Sequence, residues 1–187
     1  MSDPTSSARR GKRAPKPLNP ALFEEIALAY VARFSTSAGK LERYLRRKLR
    51  ERGWEDASKP PFDALIGRYV ELGYVDDEGF ARDKAGSLLR RGYGGRRVGQ
   101  ALREAGIAEE LRERMRPDEA AARRAALTLA RKRRFGPFGA APLDKPLREK
   151  QIAAMLRAGH TLDNAREIVD AASVAELERW AAEAAED

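Results

Sequence analysis

The residues of this chain that come nearest to phosphate chemistry lie in RRGYGGRRVGQALREAGI, Arg90 to Ile107. Gly92, Gly94 and Gly95 followed by Arg96 and Arg97 set backbone freedom beside positive charge, which is what a phosphate-cradling loop needs. The spacing argues against a nucleotide site. A dinucleotide fingerprint runs Gly-x-Gly-x-x-Gly between a strand and a helix, but Arg97 stands where the third Gly belongs, and the preceding FARDKAGSLLRR reads as helix. No Gly-x-x-x-x-Gly-Lys-Ser/Thr occurs anywhere in the sequence. What remains is a Gly-rich turn between two helices, with two arginines in the first turn of the second. Cations there oppose the helix dipole by roughly a few tenths of a kcal/mol unless an anion joins them. Two readings stay open: a solvated turn, or a contact for an acidic or phosphate-bearing partner.

The second candidate is AGKLERYLRRKLRER, residues 38 to 52, with seven positive and two negative residues between Lys40 and Arg52. At ~100° per residue Leu41, Leu45 and Leu49 form one face, while Lys40, Arg43, Arg47 and Arg50 fall within an arc of about 80° on another. Such an arc is either a solvated outer face or a contact strip for an anionic partner. Arg96, Gln100 and Arg103 repeat the geometry further along, and Arg123, Arg124 and the RKRR cluster beginning at Arg131 would extend the strip.

Catalytic chemistry finds little footing. The one His, His160, sits between a helix-ending Gly159 and a cap-like Thr161, the place of a structural turn residue rather than a base or ligand. Asp76-Asp77 lacks His or Cys nearby and reads as the acidic start of a helix, not a metal pair. Trp54, Tyr69, Tyr74 and Phe80 have the spacing of core residues more than of base-stacking platforms. No cofactor and no metal are expected, and no enzyme activity.

The elements that must position these residues are helical throughout. No run of alternating β-branched or aromatic residues occurs, and Ala, Leu, Arg and Glu dominate, so the chain is all-α. Helices are predicted over 20–34, 38–52, 61–72, 77–91, 95–105, 108–116, 118–134, 146–158 and 162–172. The glycines at 53, 73, 92, 106 and 159 stand where helices end, and Asn19 with Pro20 stands where the first begins. Gly53, Gly106 and Gly159 close LRERG, LREAG and MLRAG at two equal intervals of 53 residues, each with an apolar residue four positions earlier. Equal intervals with a shared pattern predict an elongated array of three tandem three-helix repeats, 19–73, 74–117 and 118–172. The seam slips in the third copy, where Gln151 replaces an apolar residue. Residues 1–18 read as a disordered basic tail and 173–187 as an acidic tail, in which the capping-box spacing of Ser173 and Glu176 allows a short helix.

Bulk properties bound the partner. A formal charge of +8, from 37 Lys and Arg against 29 Asp and Glu, favours an anionic one: nucleic acid, an acidic protein surface or anionic lipid. With no Cys there are no disulfides or thiolate metal sites, and the apolar runs are too short for a membrane span or a secretory signal. A cytoplasmic, monomeric protein is expected.

LGYVDDEGFARDKAGSLLRRGYGGRRVGQALREAGI, Leu72 to Ile107, resembles the central motif region of the RecX family of RecA regulators: Asp76-Asp77-x-x-Phe80-Ala81, then Gly-x-Gly before Arg97-Val98, then Leu102 to Gly106-Ile107. ALAYVARFSTSAGKLERYLRRKLRERGW resembles the family's opening unit and REKQIAAMLRAGHTLDNAREIV its closing one, so the resemblance spans roughly residues 20 to 172. The loop FGPFGAAPLDKP is longer than that family leads one to expect, and both tails are unmatched. The resemblance implies a non-catalytic modulator that lies along the groove of the RecA filament on single-stranded DNA and restrains its ATPase and strand exchange. The basic residues that would meet that partner are Lys40, Arg43, Arg47, Arg50, Arg96, Arg97, Arg103, Arg124 and Arg131. The rival reading from composition alone is a stand-alone helical nucleic-acid-binding protein.

Overall fold

The computed structural model describes residues 16–140 and 143–184. Ten α-helices follow one another: α1 Pro20–Val31, α2 Ala38–Arg52, α3 Phe62–Glu71, α4 Asp77–Arg90, α5 Gly95–Glu104, α6 Glu109–Arg114, α7 Glu119–Arg133, α8 Lys145–Arg157, α9 Leu162–Asp170 and α10 Val174–Glu183. The described residues contain no strand, only an isolated bridge between Leu18 and Trp54. No helix among them is long and apolar enough to cross a membrane.

Local chemistry sets the starts and stops. Asn19 accepts from the Leu22 amide at 2.9 Å, Asp118 from Ala121, Asp144 from Leu147, Thr161 from Asn164 and Ser173 from Glu176. Each satisfies an amide that a helix start leaves free. The five glycines read as helix stops all have positive φ. The first helix ends three residues short of its expected length, because the Arg33 and Phe34 amides both turn back onto the Tyr30 carbonyl.

The apolar side chains gather into three clusters in chain order. The first holds Phe23, Leu41, Leu45, Leu65 and Tyr69; the second Phe80, Leu88, Val98, Leu102 and Ile107; the third Leu129, Met155, Ile168, Val169 and Leu177. A core divided this way, with each unit of about 50 residues meeting its neighbours, makes an elongated all-α array of helical repeats. Three sequence features take on a different aspect. Leu18, assigned to the tail, is fully buried; its amide donates to the Gly53 carbonyl at 3.0 Å and its carbonyl accepts from Glu55 at 2.8 Å. Gln151, the break in the seam, is buried because its side-chain oxygen accepts from the Gly136 amide at 2.8 Å, pinning the 135–139 turn whose Phe135 and Phe138 pack on the third core. The acidic tail folds as α10, seating Leu177 and Trp180 against that same core. Residues 1–15 and 185–187 of the expected tails lie outside the described residues.

Candidate nucleic-acid and partner interface

The backbone of the Gly-rich turn at 92–95 is held by protein contacts. It is the joint between the second and third units. The Gly94 amide donates to the Ala158 carbonyl at 2.9 Å and the Arg96 amide to the Gly159 carbonyl at 3.1 Å. The amide of the N-cap and one of the first amides of α5 are thus taken up by the third unit. A Cβ on Gly94 would lie 2.4 Å from the Gly159 carbonyl carbon, and one on Gly159, whose φ is +95°, would lie 2.4 Å from the Arg97 nitrogen. Only glycine lets the two backbones approach this closely.

The joint recurs one repeat earlier. Ser37, the N-cap of α2, donates its hydroxyl to the Ala105 carbonyl at 2.5 Å, and a Cβ on Gly39 would lie 2.8 Å from the Gly106 Cα. Ala105 and Ala158 both precede the turn glycine, so each unit's middle-helix turn is gripped by the start of the preceding middle helix. Asp76 and Asp77 belong here too. Asp76 caps its own helix through Gly79 at 2.9 Å, while Asp77 accepts from the Ala38 amide at 2.8 Å and so caps α2 in the neighbouring unit. No group of three or more His, Cys, Asp or Glu that could hold a metal ion occurs among the described residues.

His160 is a joint residue. It is 2% exposed, its Nε2 lies 3.0 Å from the Gly92 carbonyl, and it occupies the position that Ile107 fills in the second unit. Burial pushes its pKa below the usual histidine range, opposed by the Gly92 carbonyl. The Gly92 carbonyl can only accept, so Nε2 carries the proton of this bond.

The basic residues divide by face. Three successive concavities share residues and form one furrow along the array. The first, about 470 Å³, lies over α2 among Tyr30, Tyr44, Arg46, Arg47 and Arg50, with Lys40 and Arg43 at its inner edge. Lys40 and Arg43 also border the second, between the first and second units, where Lys84, Arg91 and Arg97 join them. Arg91 and Tyr93 continue into the third, between the second and third units, with Lys132, Arg133 and Arg157. The furrow's lining holds eleven Lys and Arg and one carboxylate, Glu104. Lys40 is half-buried over the Phe80 ring at 4.9 Å, and burial, with the charges of Lys84 and Arg43, pulls its pKa below the usual lysine range. Arg43 donates to the Glu104 carbonyl and so braces the first joint.

The remaining residues expected to meet a partner lie elsewhere. Arg96 and Arg103 line a separate cleft between the second and third units, with Arg112, Arg116, Glu113 and Glu119. Arg131 pairs with Glu178 of α10 at 2.9 Å, and Arg123 donates to the Trp180 carbonyl with its guanidinium 4.9 Å from that indole. The acidic α10 thus occupies cations of α7 that the sequence offered as an extension of the strip. Arg124 is exposed but borders none of these concavities. Lys84, Arg91 and Arg157 were missed because they stand in α4, at its C-cap and at the end of α8, which only the joints bring into line with α2. Their one sequence signal is position, since Arg91 and Arg157 each stand within two residues of a turn glycine.

A family model described as RecX, second three-helix domain, matches residues 76–115, which span α4 to α6. A regulatory protein RecX from Myxococcus xanthus is 31% identical over 176 residues, covering 89% of this chain and 94% of the relative. One from Thermus thermophilus is 36% identical over 92 residues, 49% of this chain and 61% of the relative. The crystal structure of RecX from Lactobacillus salivarius superposes with a TM-score of 0.61 at 16% identity, covering 80% of this chain and 94% of that one, which bears on the fold alone. Near-complete coverage by a relative at that identity, together with the repeated glycine joints and the all-α array, establishes that this chain belongs to the RecX family of regulatory proteins.

Proposed function

We propose that this protein is a non-catalytic regulator that binds the RecA nucleoprotein filament along its groove through the basic furrow, and thereby restrains RecA ATPase and strand exchange. The observation that carries this reading is the continuity of the furrow. Eleven cations from three units border linked concavities lined by one carboxylate, Glu104; Arg46 and Arg47 pair with Glu42 and Glu51 on their own helix, and the cations still in excess favour an extended anionic partner. A filament of protein and single-stranded DNA offers such a partner over a length that a small ligand does not. Lys40, Arg43, Arg47, Arg50 and Arg97 are the contact residues within the furrow. Arg96, Arg103 and Arg124 lie outside it, and Arg131 stands apart from it in an exposed pair with Glu178 of α10.

The test is co-sedimentation with preformed RecA filaments beside naked single-stranded DNA at equal phosphate concentration. The filament reading expects preference for the filament and a fall in ATP hydrolysis on binding. Preference for naked DNA would transfer the furrow to a stand-alone nucleic-acid-binding role, which the net charge of +8 also favours.

A further inference from the structure

The first unit carries a feature that neither core packing nor filament binding by charge accounts for. Tyr30 and Tyr44 stack with ring centroids 4.2 Å apart and planes at 17°, and Phe34 extends the row with its centroid 5.3 Å from Tyr30 and its plane tilted by 48°. Tyr30 and Tyr44 pack against the first core, whereas Phe34 is no part of it and is 52% exposed. The Phe34 amide bonds the Tyr30 carbonyl at 3.1 Å, which fixes the ring one turn beyond Tyr30 at the open end of the row. Tyr44 and Tyr30 also border the first stretch of the furrow, and the Arg47 guanidinium lies 5.5 Å from the Tyr44 ring.

A solvent-facing phenylalanine at one end of an aromatic row, with the Arg33 guanidinium 5.8 Å from its ring and the exposed Arg47 and Arg50 bordering the cavity at the row's other end, combines the two elements of a single-strand site: a π-face for a base and cations for the backbone. An acidic peptide would satisfy the arginines but leave Phe34 without a counterpart. We infer that the Tyr44–Tyr30–Phe34 row is a base-stacking platform, on which an unpaired base of single-stranded DNA lies against Phe34 while Arg47 and Arg50 hold the adjoining phosphates. The inference rests on the reading of the furrow as the contact face for a nucleoprotein filament, and names what the first unit touches there.

The experiment uses the full chain and three probes: an oligothymidylate of about 16 nucleotides, an abasic oligomer of the same length, and polyglutamate. Phe34→Ala, outside the core, is expected to melt with the wild type and to bind oligothymidylate about 10-fold or more weaker, with an unchanged salt slope and unchanged binding to the abasic oligomer. Phe34→Trp is expected to restore or tighten binding. Arg47→Gln is expected to weaken both oligomers and to reduce the salt slope by about 0.7. Equal affinity of wild type and Phe34→Ala for oligothymidylate, an equal loss on the abasic oligomer, or tighter binding of polyglutamate than of oligothymidylate would each overturn the platform. Filament co-sedimentation separates the two readings. If Phe34→Ala leaves both oligothymidylate and filament binding intact, the platform fails and the filament reading stands. If the wild type prefers naked DNA to filaments, the filament reading fails and the oligomer measurements alone judge the platform.

Discussion

Gly94→Ala should open the joint between the second and third units while straining nothing in its own backbone. Gly94 has φ −82° and ψ 171°, an extended conformation that alanine adopts freely, so the main effect is steric. The added methyl would sit 2.4 Å from the Gly159 carbonyl carbon and oxygen and 2.5 Å from the His160 nitrogen, all backbone atoms that cannot rotate away. The units must part, and three hydrogen bonds go with them: Gly94 to Ala158 at 2.9 Å, Arg96 to Gly159 at 3.1 Å and His160 to Gly92 at 3.0 Å. At about 0.5 to 1.5 kcal/mol each the loss is roughly 1.5 to 4.5 kcal/mol. Alanine's poorer performance at an N-cap, about 0.5 kcal/mol or more, adds to it. Gly67→Ala is the control: it lies inside α3 with nothing within 4 Å of the added carbon, so it should stabilise by about 0.5 to 1 kcal/mol. Urea titrations give the two changes, and amide hydrogen exchange locates the first, which should appear as lost protection at Gly94 and Arg96 and across α8 and α9. The furrow crosses this joint at Arg91, so filament binding should weaken as well. A Gly94→Ala protein that matches the wild type within about 0.5 kcal/mol and keeps the protection of Gly94 and Arg96 would refute the joint.

Asp77→Ala removes the carboxylate that caps α2 from the second unit and should cost about 0.5 to 2 kcal/mol, read by urea titration; a neutral result would mean that water replaces the carboxylate at no cost. Stability should also fall in mild acid through His160. In the unfolded chain it takes up a proton near pH 6.5, but in the buried joint only at lower pH, so its stabilisation is complete above about 6.5 and is lost below it at no more than about 1.4 kcal/mol per pH unit. Melting across a pH series should show that His160→Ile, which copies the second unit, removes this part of the dependence. Reversing Arg47 and Arg50 to Glu should weaken filament binding by orders of magnitude at low salt and leave the melt nearly unchanged, because both are exposed, whereas Arg43 braces a joint and Lys40 is half-buried; unchanged binding would place the contact elsewhere. Small-angle scattering should give a radius of gyration clearly above the roughly 16 Å of a compact domain of this length.

Helix positions were legible because caps and stops are local: Asn19, Ser173 and the turn glycines act on atoms within four residues of themselves. The 53-residue interval was legible for a related reason, since it records one turn built three times. What was not legible is how turns meet. Gly94 resembled a phosphate loop because a backbone that must pass close to a phosphate and one that must pass close to another backbone make the same demand of a side chain, namely that there be none. Asp77 resembled part of an acidic first turn because its acceptor role is filled from α2, 39 residues away. The basic strip was half legible. One helix's wheel located Lys40, Arg43, Arg47 and Arg50, but at α5 a rotation of one residue decides the face, so Arg97 enters the furrow while Arg96 and Arg103 turn to another cleft. The α7 cations could not be assigned without knowing that α10 folds back to pair with Arg131.

In the first unit the equivalent joint is filled from within the chain. The Gly159 carbonyl accepts from the Arg96 amide of the preceding unit, and the Gly53 carbonyl accepts in the same way from the Leu18 amide. Leu18 is fully buried and its carbonyl takes the Glu55 amide, so the segment before α1 stands where a preceding middle helix would dock. A further copy could reach the Gly53 turn only by displacing a buried leucine and two backbone hydrogen bonds. End-to-end stacking of copies through this joint is thereby disfavoured, and the surface left open to an extended partner is the side of the array, along which the furrow runs from Arg50 to Arg157. Because that furrow is assembled across two glycine-built joints, its curvature is set by the angle at each joint. A partner that tracks the whole furrow therefore selects the joint angles as well as the charges, which couples the stability of the joints to binding even though no joint glycine need touch the partner.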